Sequence, residues 1–599
     1  MKDNRNMATS ADSPPFGDKK HESPFIVIAE SDLESPSDKT VDHGNDHGAG
    51  SGCIDTDFQH GVQGIEAVTV SWSRTALMVS LALIWLVYFA QSLVAGVSAA
   101  LLPYVTSSFA DHSLTPTTSI LSSVIGGVTN LSIGKALDIF GRPQGFLICI
   151  IFATIGLIMS AACNNVKAYA ASQVFYTIGV NGVGFSMNVF LADITSLRNR
   201  GLMVAVCSTS YIVTPWLGGP ISSAFLSGPG WRWAFGMGSI LIPAVTLPCF
   251  GLIMWYSSRA EKLGKIPGNS AKRTPWQSII YYMREFDMVG LVLLSAGVAF
   301  ILLPFNLYTI QAKGWGSALI ICFLVLGIVS LIVFVAWEKF FAPVSLLPWN
   351  LIRDRTGLGA CLLSLALFQS GACWQAYFGS ILQVTNGLNI THASYVQQTY
   401  GAATFVFTIF AGMAIRSTGR YKPVTLYLAI PFAVLGTGLM IHFRQPASNI
   451  GYIVMCQIFL AFAGGISMIT AEIAMLTTCE KQQYFAIALA LLSLFSNVGN
   501  AIGFTISAAI WQDIMPKRLA LYLPAADLAD LQMIYGDIVT QLSYPEGSPT
   551  RIAIQRAYGD AQRYLFTAGT ATWIIGFLAV LFWKDINVKA INQTKGRVL

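Results

Sequence analysis

Charge is what this 599-residue sequence has least of: 11% of its residues are Asp, Glu, Lys or Arg, against about 25% in a soluble protein. Between residues 75 and 512 only ten carboxylates occur: Asp111, Asp138, Asp193, Glu261, Glu285, Asp287, Glu338, Asp354, Glu472 and Glu480. So few cannot cover a water-facing surface, which excludes a set of soluble domains. None of the ten cysteines forms a Cys-x-x-Cys pair, so they read as small core residues. Of seven histidines, His21, His43, His47 and His60 are spread irregularly over the first 74 residues, which argues against a metal-binding tail. The others, His112, His392 and His442, fall at or near the ends of apolar runs, which excludes a mid-membrane imidazole relay. There is no Gly-x4-Gly-Lys-Ser/Thr phosphate loop, no His-Glu-x-x-His and no nucleophile elbow with a triad. ATP-driven transport and enzymatic activity are therefore not expected, nor any catalytic residue, metal site or cofactor. The formal charge of +6 does not signal a nucleic-acid partner, because the placement of the positive residues explains it.

Long apolar runs are what the sequence has in plenty. About fourteen can be counted: 75–98, 115–134, 145–163, 168–191, 202–225, 234–256, 288–308, 317–337, 358–381, 394–415, 423–442, 450–476, 484–511 and 564–583. Most have the length a helix needs to cross a bilayer, about 20 residues, so membrane lipid is an expected partner. The second and tenth are the softest, being rich in Ser, Thr and Gly. The first 74 residues hold thirteen acidic and six basic residues and read as a disordered tail without a cleavable signal peptide. With the N-terminus in the cytoplasm and fourteen spans, the short inner loops and the C-terminal tail carry 21 Lys and Arg and the short outer loops four. That asymmetry supports both the span count and cytoplasmic termini. The sequon Asn389-Ile-Thr391 then lies outside and is a glycosylation candidate at Asn389. The sequons at Asn130 and Asn592 fall in a span and in the cytoplasm.

Between the second and third runs stands Gly134-Lys-Ala-Leu-Asp138-Ile-Phe-Gly141-Arg142-Pro143. The glycines suit a tight helix-to-helix turn, and Asp138 and Arg142 can pair at the membrane surface. This Gly-x-x-x-Asp-x-x-Gly-Arg turn resembles the loop 2–3 signature of the major facilitator superfamily of secondary transporters. The resemblance implies an all-α membrane protein with the major facilitator fold, and Gly134, Asp138, Gly141 and Arg142 as a conformational latch. The Gly-x6-Gly-Arg frame recurs after the tenth run, from Gly412 to Gly419 and Arg420, with Arg416 in place of the acid. Two six-helix halves related by a parallel repeat, with two helices inserted between them, place both copies correctly. The expected layout of the 14 transmembrane helices is 6+2+6. Its divisions are the tail 1–74, an N-terminal half 75–256, a cytoplasmic linker 257–287, inserted helices 288–340, a C-terminal half 357–584 that includes an extracellular loop 513–563, and a tail 585–599.

Three stretches narrow the family. They are GVNGVGFSMNVFLADITSLRNRGL at 179–202, GPGWRWAFGMGS at 228–239, and QQYFAIALALLSLFSNVGNAIGFTISAAIWQDIMPKRLALYLP at 482–524. Together with the outer segment 513–563 they resemble the fungal siderophore–iron transporters, over roughly residues 75–585. The resemblance implies a secondary active importer whose substrate is a ferric siderophore, an iron–hydroxamate chelate, moved with protons by symport and alternating access. The expected setting is the plasma membrane or a vesicular membrane, and the expected state a monomer. The rival of the same fold is a fourteen-span proton-coupled drug exporter. Here the Gly-x3-Gly-Pro-x2-Gly-Gly pattern of exporters is reduced to the Gly-Pro of Gly219 and Pro220, which favours import. A nutrient sensor on the same scaffold would carry a longer cytoplasmic domain.

Ionisable groups inside a membrane are costly and usually functional. Glu472 lies within an apolar run and Asp193 closes another. Both are proton-coupling candidates, the alternative being interface carboxylates paired with Arg416, Arg198 or Arg200. Amides and rings within the runs can line a cavity for a bulky hydrogen-bonding ligand without fixed charge: Tyr88, Gln91, Asn181, Asn188, Gln369, Trp374, Gln375, Tyr377, Asn497 and Asn500. Each could equally serve in an interhelical hydrogen bond. The outer segment offers Tyr522, Tyr535, Tyr544 and Tyr558 as capture candidates. A short helix is expected within 528–539, and the alternative is a solvated connector.

Overall fold

The computed structural model describes residues 74–587 apart from 110–114, 140–141, 195–202, 204–205, 208, 263–276, 278–282, 285–286, 309–310, 312, 343–348, 446–447 and 480–484. The two predicted tails lie almost wholly outside the described residues. Those described are helical, with a single isolated bridge between Arg420 and Asn587. A first group comprises α1 (Arg74–Ser107), α2 (Thr115–Ile139), α3 (Arg142–Ala162), α4 (Val166–Ile194), α5 (Ser210–Val213), α6 (Pro215–Ser227) and α7 (Trp231–Lys262). Then come α8 (Met288–Leu302), α9 (Pro304–Leu307) and α10 (Ala318–Phe340). The last group is α11 (Trp349–Arg353), α12 (Arg355–Gln375), α13 (Phe378–Val384), α14 (Ile390–Thr418), α15 (Lys422–Val424), α16 (Ile430–Phe443), α17 (Ile450–Leu476), α18 (Phe485–Tyr522), α19 (Leu531–Gly536), α20 (Ile538–Ser543) and α21 (Pro549–Phe582).

A helix stands in each of the fourteen predicted runs, and among the described residues ten are long and apolar enough to cross a membrane. The Ser/Thr/Gly-rich α2 is not among those ten, and α14 has the lowest mean hydropathy of them, 1.3. α2 packs along α4 and α18, and α14 along α6 and α17, although α14 also exposes Ile409, Phe410 and Met413. α10 is the opposite case: Ile321, Val325, Ile328, Val329, Ile332 and Val335 are exposed, a continuous apolar surface of the kind lipid covers.

Each group has its own core. In the first, Ile84, Val87, Phe146, Ile150, Val183 and Met187 are buried together. In the last, Ala360, Leu363, Ala463, Ala471, Leu491 and Val580 are. Of the nine described cysteines, none is disulfide-bonded and all but Cys322 are buried, as core residues should be. Helices in lipid gain most from close van der Waals packing, which small residues permit. α3 and α4 meet this way: a Cβ on Gly156 would lie 2.6 Å from Tyr176 Cα, and one on Gly179 2.5 Å from Ala153 Cα.

α8 and α10 form a hairpin tied at one end by Asp287. This residue adopts a left-handed conformation, φ 44°. Its carboxylate caps α8 through the Gly290 amide at 3.2 Å and accepts from Trp337 Nε1 at 2.7 Å. The hairpin covers the line where the groups meet, with Ala299 and Leu302 packed against Ile120, Val124 and Ala501.

The end of the molecule holding the α1 N-terminus is called the lower face and the opposite end the upper face. At the lower face the second Gly-Arg turn is built as its sequence suggests. Gly419 closes α14 at φ 74°, a value that favours glycine. Arg420 finds its acid from another part of the chain, Asp585 at 3.8 Å, past the end of α21. Next to it Lys422 donates to the free carbonyls of Leu581 and Trp583 at 3.0 and 2.6 Å, complementing the negative end of that helix. Lys584 reaches Asp354 at 2.5 Å, and Asp354 caps α12 through the amides of Thr356 and Gly357. Burial pulls the Asp354 carboxyl upward, but the bonds from Lys584 and the two amides outweigh it and hold it below the usual value.

Candidate transport pathway

The two groups of helices face each other along two seams. α2 packs along α18, and α6 along α14. On the first seam Asn130 Nδ2 donates to Ser493 Oγ at 3.0 Å. One turn up, a Cβ on Gly127 would lie 2.6 Å from Asn497 Cβ, so this asparagine sits against bare backbone. On the second seam Tyr211 stacks on Phe405 with ring centroids 4.8 Å apart and Trp216 meets Tyr395 at 5.4 Å. A Cβ on Gly219 would lie 2.9 Å from Ser394 Cβ.

The predicted cavity residues do not all come together. Tyr88 and Asn188 come together: the phenol donates to Asn188 Oδ1 at 2.6 Å. Gln91 donates to the Val180 carbonyl at 3.2 Å, and Asn181 Nδ2 stands 3.0 Å from where a Cβ on Gly126 would be. These four form a polar strip between α1, α2 and α4. Asn497 belongs to the seam, and Asn500 is half-buried one turn above it. Gln369 is buried on α12, its backbone carbonyl packed against Gly503. Trp374 and Tyr377 serve the packing of the last group. Trp374 is surrounded by Phe378, Tyr400 and Phe566, and Tyr377 stacks on Trp511 with centroids 4.0 Å apart. Gln375 lines a partly open space of about 150 Å³ between the groups, together with Gln383, Gln397, Ser394, Ser119 and Phe504.

The predicted latch and the proton-coupling candidates fall partly outside the described residues. Gly141 and the side chains of Asp138, Arg142 and Asp193 lie outside the described residues, as does the surroundings of Gly134. Glu472 is described: it lies in the last two turns of α17 and is half-buried. The side chains of Arg416, Arg198 and Arg200 are outside the described residues.

The stretch 513–563 is more ordered in architecture than a connector. α18 runs on to Tyr522 and α21 begins at Pro549, so both helices rise well above the run of apolar residues that defined them. A 38-residue helix is about 57 Å long, nearly twice the hydrocarbon thickness. The reason is a continuing apolar stripe at helical spacing, Trp511, Met515, Leu519 and then Leu523, which packs against Ile534, Ile538, Ile554 and Tyr558. A 3-10 turn at Ala525–Asp530 followed by α19 and α20 occupies the place of the expected short helix. The four tyrosines do not share one face. Tyr558 is buried and donates to Gln541 Oε1 at 2.6 Å. Tyr522 donates to Asp560 at 2.8 Å. Tyr535 and Tyr544 pack at the edge of the same core.

Comparison with known proteins bears directly on this arrangement. The family model of the Major Facilitator Superfamily matches residues 84–388. The MFS siderochrome iron transporter 1 of Ajellomyces capsulatus is 48% identical over 546 residues, which is 91% of this chain and 93% of that protein. The chain belongs to the siderophore–iron transporter family of the major facilitator superfamily. Siderochrome iron transporter D of Aspergillus fumigatus is 40% identical, covering 94% of this chain and 93% of its own. The siderophore iron transporter mirB of Emericella nidulans is 39% identical, covering 97% and 98%. Solved structures with the same fold include a peptide transporter POT in complex with sulfate, with TM-score 0.54 at 14% identity over 84% of this chain and 94% of that one. A bacterial homologue of the human lysosomal transporter Spinster has TM-score 0.51 at 14% identity, covering 86% and 98%. The expected fold class and family are thus borne out, and the protein is an integral membrane transporter of this superfamily. The alignments with its family span the seams and the upper segment alike.

Sequence reasoning missed several residues of the pathway. Ser493, Gln383 and Gln397 carry no motif, since a lone polar residue in an apolar run does not announce its partner. Asp585 was detectable only as an acid close to the chain segment that meets the second Gly-Arg turn in space.

Proposed function

We propose that this protein imports ferric siderophores, iron–hydroxamate chelates, across the fungal plasma membrane. The reading is supported above all by identity of 39% to 48% along at least 91% of the chain with proteins named as siderophore or siderochrome iron transporters. The uncharged amides and phenols on the pathway agree with it, because a neutral chelate offers hydrogen-bonding groups without a charge to be paired. In this reading the upper face is extracellular, both termini are cytoplasmic, and fourteen spans are divided 6+2+6, with halves 75–256 and 357–584. The halves rock about the two seams to expose a central site alternately. The strip of Tyr88, Gln91, Asn181 and Asn188 faces substrate, with Asn497, Asn500 and Gln375 opposite.

Protons supply the driving force, with Glu472 and Asp193 as the groups that load them. The turn with Gly134, Asp138, Gly141 and Arg142 latches one state at the cytoplasmic surface. The segment above α18 and α21 captures the chelate first, with Tyr522, Tyr535 and Tyr544 at its surface, and Asn389 carries a glycan. The carrier works as a monomer, and iron is cargo rather than a resident cofactor.

The deciding experiment is iron-55 uptake with a panel of purified ferric siderophores in yeast stripped of its own carriers. Saturable accumulation of one or more hydroxamate chelates is expected. Uptake of none, together with resistance to toxic drugs, would sink the reading in favour of an exporter.

A further inference from the structure

The upper ends of the two helix groups are joined by contacts that no sequence motif marks. Tyr104, in the last turn of α1, donates to Gln383 Oε1 on α13. Ser107, which ends α1, is buried and accepts the Ile538 amide of α20 at 3.0 Å. It thereby takes an otherwise unpaired donor at the start of that helix. Segment 523–548 is in turn fastened to the last group. Arg551 is buried and donates to the Gln541 carbonyl at 2.5 Å and the Gln383 carbonyl at 3.4 Å. Gln541 itself donates to the Ile534 carbonyl at 2.6 Å, and Gln555 reaches the Val384 carbonyl at 3.3 Å. One end of the first group is thus buttoned to a structured cap that is itself riveted to the last group.

Directly beneath these contacts lies the glutamine-lined space of about 150 Å³. Gln383 belongs both to the Tyr104 bond and to the lining. Pockets for drug-sized ligands measure about 300–1,000 Å³. No chelate of that size fits while Tyr104 and Ser107 stay docked.

We infer that segment 523–548 is the clasp of an outer gate. In this structure its Ile538 amide holds Ser107 at the end of α1, alongside the Tyr104–Gln383 bond that joins α1 to α13. Undocking α1 from the cap widens the glutamine chamber and turns Gln383 from a lock into the first amide that an entering ligand meets. Both bonds are neutral, so neither leaves a buried charge unpaired when it breaks. The identity of the ligand and the outward orientation of the upper face rest on the proposed function; the clasp itself does not.

The test uses the full-length carrier with a cysteine at Gln397 as a reporter inside the chamber. A membrane-impermeant maleimide is applied from outside, and rates are taken above those of the parent with its native cysteines. Tyr104→Phe, which keeps the ring and removes only the hydroxyl, should speed labelling several-fold. Oxidising the pair S107C and I538C should bring labelling down to the parent's background and stop uptake, with reduction restoring both. The inference is overturned if the pair does not oxidise, or if the cross-linked carrier labels and transports like the reduced one. If labelling follows the clasp but no ferric hydroxamate enters under any condition, the gate stands and the importer reading falls. If a chelate enters through the cross-linked carrier, the importer reading stands and the gate falls.

Discussion

Asn130 and Ser493 are 363 positions apart in sequence and share a hydrogen bond of 3.0 Å. Ser493 lies two turns into α18 from its lower end, and Asn130 lies in the lower half of α2. The bond therefore holds the two helix groups together below the middle of the seam, on the side opposite the cap. Gly127 makes the approach possible, since a side chain there would strike Asn497. Gly127→Val should wedge this seam and reduce substrate uptake at least tenfold at normal surface expression. Gly251→Ala is the control, because nothing stands within 4 Å of its Cβ. Equal uptake by both variants would show that close contact at this point is not required.

The pairing of Lys584 with Asp354 makes a prediction about acid. The carboxyl of Asp354 is held below its ordinary value in the folded protein. A depressed carboxylate pKa stabilises the fold above the unfolded value and loses that contribution as pH falls through the folded value. Because Lys584 is 44% exposed, the pair contributes about 1 kcal/mol or less. The melting temperature of Asp354→Asn in detergent should lie slightly below that of the parent by the same amount at every pH from neutral to mildly acidic. The gap should close only below the ordinary carboxylate range. A gap that closes near neutral pH would contradict the assignment.

Glu472, proposed to load the coupling proton, makes a different pH prediction, about transport rather than stability. Glu472→Gln keeps the shape of the side chain and removes the titrating proton. If Glu472 loads the coupling proton, wild-type uptake rises from neutral to mildly acidic medium while the variant's stays flat. Initial rates measured at several external pH values decide it, and an unchanged profile in the variant excludes Glu472 from coupling.

Asn389 has one role in the fold and one proposed role that can be separated. Its side-chain oxygen caps α14 by accepting the His392 amide at 2.8 Å, while a glycan would be attached through the amide nitrogen. Asn389→Asp keeps the cap and abolishes the sequon; Asn389→Ala removes both. A glycosidase-sensitive mobility shift should vanish in both variants. Only the alanine variant should also lose stability, by about 1 kcal/mol. A wild-type protein whose mobility is insensitive to glycosidase would show the site to be unused.

The sequence made the helices easy to find, because apolar runs of bilayer length have little alternative reading. It was less informative about where α18 stops. The polar cluster from Gln512 to Arg518 looked like the end of a span, yet the stripe of Trp511, Met515 and Leu519 was already visible at helical spacing. The same spacing in Arg551, Ile554, Tyr558 and Ala561 foretells a buried face. Tyr558 could still be mistaken for a surface ligand, since a tyrosine in a polar segment does not reveal that Gln541 satisfies its hydroxyl. Trp374 and Tyr377 illustrate the corresponding ambiguity inside a span. A large ring facing a cavity and one packed among Phe378, Tyr400 and Trp511 have the same sequence signature. Pairs such as Ser107 with Ile538 depend on how distant helices meet, and nothing local specifies them.

α18 passes without a break from the Asn497 contact to the cap at Leu523, a rise of about 39 Å. Such a rod acts as a lever arm with the seam near its fulcrum. A tilt of about 5° at the lower contact displaces its tip by about 3 Å, which is the length of one hydrogen bond. A movement too small to disturb packing around Asn130 and Ser493 is therefore large enough at the far end to decide whether the amide of Ile538 still reaches Ser107.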